Sequence, residues 1–149
     1  MEAVSIDNWE SQVVSPQTVT GKMRPGMSIF LGTAGAEPRT MVRHLMTVED
    51  KNVEDLELIQ LVSFGDAVSL ETLQSKNFRL KTFFSGWVAN EAIERGRIDV
   101  IPSRFVKIPQ LFGSLLRPVD VAVVQITPPN AAGFCSLGIA IDVAREALE

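Results

Sequence analysis

The sequence predicts an α/β domain built on an open, mostly parallel sheet with helices on both faces. Three observations predict it. Short apolar runs alternate along the chain with segments of helical periodicity, the pattern of β–α–β units. The apolar runs are continuous rather than alternating, as strands covered on both faces require. Glycine-bearing loops follow three of the runs, where chain must turn out of a sheet.

"SPQTVTGKMRPG" starts as a helix, with Ser15 placed to cap it, Pro16 at its first position, and Pro25-Gly26 to end it. "MSIFLG" is a short buried strand, and "GTAGAEP" a loop of small residues. Beyond it Met41, Val42, Leu45 and Met46 recur at helical spacing, with Pro38 near the helix start. "LELIQLVSFG", Leu56 to Gly65, is the next strand, "AVSLETLQSK" a short helix or turn, and "FRLKTFFSG" a third strand. Asn90 to Arg95 reads as a helix that Gly96 terminates. "IDVIP" is a brief strand. Phe105, Ile108, Leu111 and Phe112 mark another helix, shortened or bent by Pro109. "VDVAVVQIT" is the most strand-like run of all, and Asp142 to Glu149 closes the sequence as a helix whose Val143, Ala144, Ala147 and Leu148 need a partner surface.

The 149 residues, 46% hydrophobic and 21% charged, suffice for one core and one domain, residues 1–149. A formal net charge of -4 gives no global attraction to nucleic acid or to an anionic membrane. The locally basic stretch holding Arg95, Arg97, Arg104 and Lys107 reads as a solvated face. A single cysteine, Cys135, has no internal disulfide partner, which favours a reducing, cytoplasmic setting. The acidic N-terminus lacks the apolar core of a signal peptide, and no apolar stretch approaches the roughly 18 residues that span a bilayer.

In open α/β sheets, ligands sit beyond the carboxyl ends of the strands. The three glycine-bearing loops fall there: Gly32-Thr33-Ala34-Gly35, Ser85-Gly86, and Pro128 to Gly138. Together they predict a crevice. The first runs into a helix N-terminus, which favours an anion, yet it matches neither phosphate-binding glycine motif. Glu37 stands where a carboxylate compensates a helix dipole; a nucleophile or base is the lesser reading. Cys135 has no base nearby in sequence, His44 being remote, and reads as a small buried hydrophobe, with His44 a surface or edge residue. Ser85 lacks the nucleophile elbow, Trp87 reads as core or pocket wall, and the carboxylates are too scattered for a metal site. The residues build a crevice without an evident chemical engine.

Four segments change that picture: "MSIFLGTAGAEPRTMVRHL", "LKTFFSGWVANEAI", "GRIDVIPSRFVKIPQLF" and "DVAVVQITPPNAAGFCSLGIAIDVA". From Ser15 onward the chain resembles the N-terminal half of the acetyl-CoA hydrolase/4-hydroxybutyrate CoA-transferase family. The most specific part is the run of Pro128, Pro129, Gly133, Phe134, Ser136, Leu137 and Gly138. The resemblance implies a NagB/RpiA/CoA-transferase-like fold, with a second α/β domain beyond this chain supplying a glutamate that forms a glutamyl-CoA thioester, for CoA transfer or, with water, acetyl-CoA hydrolysis, this chain alone being inactive. It implies no catalytic residue here, no permanently bound cofactor, and coenzyme A or acyl-CoA as substrate. The partners implied are acyl-CoA, a short carboxylic acid and the C-terminal half of the enzyme; a homo-oligomer is expected from exposed sheet edge and cleft surface. Gly32, Thr33, Ala34, Gly35, Ser85, Gly86, Asn130, Gly133, Phe134, Ser136 and Gly138 would line the carboxylic-acid side of the cleft.

The alternative is a non-catalytic α/β module that binds a small anion at the Gly32–Glu37 helix start or docks a partner through its last helix. A Rossmann oxidoreductase lacks its glycine fingerprint.

Overall fold

The computed structural model describes residues 6–62, 78–84, 87–96, 98–113 and 119–149. The expected helix or turn of "AVSLETLQSK", the end of the second apolar run, and Ser85-Gly86 lie outside them.

Five strands form one sheet: β1 (Ser28–Leu31), β2 (Leu56–Gln60), β3 (Phe78–Thr82), β4 (Ile98–Val100) and β5 (Val121–Val123). Their order is β4-β3-β2-β1-β5 and every pairing is parallel. The helices are α1 (Pro16–Thr20), α2 (Arg39–Thr47), α3 (Trp87–Glu94), α4 (Ile108–Gly113) and α5 (Ala144–Leu148). The open parallel α/β architecture is the one the sequence predicts.

Alternation along the strands splits the core into two layers. Ile29, Leu31, Leu56, Leu58, Phe78 and Leu80 face Val42 and Leu45 of α2 and Ala92 of α3. Phe30, Ile59 and Leu61 face Ile108 of α4 and Val143 and Ala144 beside α5. Phe112 packs edge-on against Phe30, ring centroids 5.6 Å apart. Phe30 is wholly buried, and its truncation to alanine would cost about 3–5 kcal/mol.

Local chemistry sets the helix ends. Ser15 caps α1 by accepting the Thr18 amide at 3.2 Å, as expected, but α1 closes at Thr20, before Pro25-Gly26. Gly96 adopts φ 64 after α3, and its amide donates to Ile93 O at 2.9 Å, the glycine stop that the sequence predicts. The helix itself begins at Trp87, three residues earlier than expected.

The least accurate expectation concerns β5. The "VDVAVVQIT" run pairs over only three residues, which are half-buried, and Gln125 and Ile126 are exposed. β5 lies at the edge of the described sheet with β1 as its only neighbour there, so only one side holds it. Asp120 anchors its start: the Asp120 amide donates to Ser28 O, and the Ser28 amide donates to Asp120 Oδ2 at 2.8 Å.

The strand order explains the two layers. From β1 the chain moves through β2 and β3 to β4 with α2 and α3 on one face. It then crosses by α4 on the other face to reach β5 on the far side of β1. Right-handed crossovers demand that change of face when the direction of travel reverses. The reversal lies between β1 and β5.

Candidate functional site

Where strand order reverses, the chain leaving the two neighbouring strands departs to opposite faces and a crevice opens at their carboxyl ends. Here β1 runs into residues 32–38 and α2, while β5 runs into residues 124–140 and α5. Two of the three predicted loops therefore meet. A crevice of about 700 Å³ is bordered by Gly35, Glu37, Pro38 and Thr40 on one side and Val123 to Gln125 on the other. A narrower cavity of about 240 Å³ continues from it between Gly35-Ala36 and Ile126, Leu137, Gly138 and Ile139.

The β1 loop is held tightly. The Gly32 amide donates to Val123 O at 2.9 Å, and the Ala34 amide to Val62 O at 3.3 Å. A methyl group on Gly32 would sit 2.8 Å from Ala36 O, so a glycine is needed by close approach of the loop to itself. Ala34 has φ 52, a left-handed conformation that costs a non-glycine residue about 1–2 kcal/mol. Thr33 is buried beside the β2 end, with Oγ1 3.5 Å from the Val62 amide. Gly35 is exposed and borders both cavities.

The β5 loop organises itself around Asn130. Its Oδ1 accepts the Ala132 and Phe134 amides at 2.9 and 3.0 Å, an Asx-type turn. Gly133 takes φ 81 at the bend, and Thr127 and Ser136 join the two arms through N–H···O and N–H···Oγ bonds. The Ser136 hydroxyl in turn accepts the Gly138 amide at 3.1 Å. Asn130, Gly133 and Ser136 thus shape the loop, while Phe134, 73% exposed, stands at its tip.

One sequence reading is corrected here. Cys135 is exposed, because it sits on the outward-turned tip between Phe134 and Ser136. The Glu37 carboxylate, expected to compensate the α2 dipole, turns inward to Gln60, and the helix has no side-chain cap. Its Oε2 accepts from Gln60 Nε2 at 3.1 Å, and the same nitrogen donates to Gly32 O at 3.1 Å. Glu37 and Gln60 are only 3% and 1% exposed. Sequence reasoning passed over Gln60 altogether; a polar residue closing a mostly apolar strand was the available signal.

His44 is half-buried, its Nε2 3.4 Å from Thr20 Oγ1, in keeping with an edge position. Arg104 and Lys107 are exposed, as a solvated face requires. Val143 and Ala144 find their partner surface inside this chain, whereas Leu148 stays half-exposed. Among the described residues no cluster of three His, Cys, Asp or Glu side chains could hold a metal ion, and no helix is long and apolar enough to cross a membrane.

Fold and crevice together define an α/β domain that offers a cleft wall at a strand-order reversal. The chain belongs to the family described as the acetyl-CoA hydrolase/transferase N-terminal domain, whose model matches residues 2–149. It is 28% identical over 141 residues to a 4-hydroxybutyrate coenzyme A transferase of Clostridium kluyveri, covering 95% of this chain and 33% of that protein. It is 32% identical over 135 residues to a succinyl-CoA:acetate/propanoyl-CoA:succinate CoA transferase of Fasciola hepatica, covering 87% and 27%. The chain thus spans about a third of these relatives' length or less. In fold it resembles RipA from Yersinia pestis, with TM-score 0.78 and 17% identity over 96% of this chain and 36% of that one. It also resembles a 4-hydroxybutyrate CoA-transferase from Porphyromonas gingivalis, with TM-score 0.64 and 23% identity over 95% and 32%.

Proposed function

We propose that this chain is the substrate-cleft wall of an acyl-CoA:carboxylate CoA-transferase, with the reacting carboxylate carried by a second domain of a longer polypeptide. The observation that carries the reading is the meeting of the Gly32–Glu37 and Pro128–Gly138 loops across one crevice at the β1/β5 reversal. The second of these holds the most specific part of the family resemblance.

In this reading a glutamate of the second domain attacks the acyl-CoA carbonyl, forming a mixed anhydride and releasing CoA thiolate. The thiolate then attacks the glutamyl carbonyl, which frees the first acid and leaves a glutamyl-CoA thioester. The acceptor carboxylate reverses both steps and departs as the new acyl-CoA. The residues of this chain bound the acyl pocket: Gly35 leaves room for the chain, and the Asn130-centred loop closes over it. Exclusion of water there favours transfer over hydrolysis. The same reading places the protein in the cytoplasm, where a free, exposed Cys135 stays reduced.

The test is CoA transfer from acetyl-CoA to short carboxylic acids by the complete polypeptide, with residues 1–149 alone as comparison. Transfer by the complete protein and none by the isolated chain is expected. A complete protein that turns over no short acyl-CoA refutes the proposal.

A further inference from the structure

We infer that Glu37 and Gln60 hold a monovalent cation of sodium or potassium size, which fastens the β1 loop to the end of β2. The ion's site depends on no step of the proposed reaction.

Gln60 Nε2 lies 3.1 Å from both Gly32 O and Glu37 Oε2. That fixes the amide orientation, since the opposite one would set the amide oxygen against two other oxygens. Two acceptors are left over on the joined side chains, Glu37 Oε1 and Gln60 Oε1, both buried and without a hydrogen-bond partner among the described residues. Their residues are more than nine-tenths buried. Buried polar atoms are nearly always satisfied, and oxygens of this kind are the ligands that hard cations take.

Charge decides between a cation and a neutral donor. Among the described residues no basic side chain forms an ion pair with Glu37, and Arg39, its nearest basic neighbour in sequence, is exposed. Glu57, another buried carboxylate of the same sheet region, has Lys81 at 2.6 Å. Buried charges are matched by an opposite charge or bind a metal ion, and one amide N–H does not meet that need. A water molecule would satisfy the two oxygens but leave the charge. One carboxylate balances one positive charge, and no group of three His, Cys, Asp or Glu gathers among the described residues to hold a divalent ion. Glu37 borders the larger crevice, which gives the ion its way in.

The experiment measures the thermal unfolding midpoint of the full chain in choline, sodium, potassium and rubidium chloride at one ionic strength. Choline is too large to reach two buried oxygens and sets the baseline. Sodium or potassium at about 100 mM should raise the midpoint by at least about 2 °C, and saturably, as a ligand that binds only the folded state does. Glu37→Gln keeps the shape, removes the charge and should abolish that rise. Equal midpoints in all four salts overturn the inference, since a water or a cationic side chain from another segment then serves the oxygens. A rise that survives Glu37→Gln also overturns it, by placing the ion elsewhere. Should Glu37→Gln fail to fold, crystals of the unaltered chain grown in rubidium chloride give the second reading. An anomalous peak in contact with both Glu37 Oε1 and Gln60 Oε1 supports the inference, and its absence there overturns it. No acyl-CoA enters these measurements, so the proposed function stands or falls separately.

Discussion

Gln60 Nε2 donates to Glu37 Oε2 at 3.1 Å, joining the last residue of β2 to the segment that leads into α2, 23 positions away in sequence. The same amide holds Gly32 O, so one side chain ties both ends of the β1 loop to the sheet. The crevice keeps its shape through this buried bridge.

Gln60→Leu removes the only donor that the described residues offer the Glu37 side chain. Leaving a charged acceptor buried and unpaired should lower unfolding stability by about 2–4 kcal/mol. The double variant Glu37→Leu/Gln60→Leu should recover at least half of that loss, since an apolar pair leaves nothing unsatisfied. Urea unfolding of all variants completes the cycle; additive losses would show that the bridge is not the coupling element.

Two glycines only three positions apart should behave differently. Gly32→Ala forces a methyl against Ala36 O at 2.8 Å and should cost about 1–3 kcal/mol. In Gly35→Ala the new methyl meets Ile139 Cγ2 at 3.6 Å, an ordinary contact, so the change in stability should stay within about 0.5 kcal/mol. Thermal unfolding compares the two, and equal losses would contradict the loop geometry.

Lys81 and Glu57 form an ion pair across β2 and β3, 2.6 Å apart, with side chains 11% and 10% exposed. Lys81→Met alone should destabilise by about 1–3 kcal/mol, because this ion pair is lost in a poorly solvated place. Adding Glu57→Leu should restore much of the loss. Equilibrium unfolding in guanidinium reads both; a harmless Lys81→Met would mean that solvent screens the pair.

Cys135 should react fully with a thiol reagent in the native state within minutes, without denaturant, because it is exposed at a loop tip. The measurement is the stoichiometry of labelling under native and unfolding conditions. Protection until unfolding would restore the reading of a buried side chain.

The fold was legible wherever a local cause decided it. Ser15-Pro16 announces α1, Gly96 stops α3, and the spacing of Met41, Val42, Leu45 and Met46 makes α2. What escaped depends on neighbours distant in sequence. Residues 121–124 look like a central strand, but their burial is set by which strands stand beside them. Cys135 shows the same limit, since a small apolar-looking residue carries no mark of the turn that exposes it. At the site, the β1 and β5 loops were visible as small-residue segments, whereas their meeting follows from the strand order. Gln60 was hidden because its role exists only once Gly32 and Glu37 are folded against it.

The most direct measurement is a crystal structure of the complete polypeptide with butanoyl-CoA bound. The account predicts an acyl chain lying between Gly35 and Gly138, at the carboxyl ends of β1 and β5. An acyl chain seated away from this crevice, with both loops clear of it, would contradict the account.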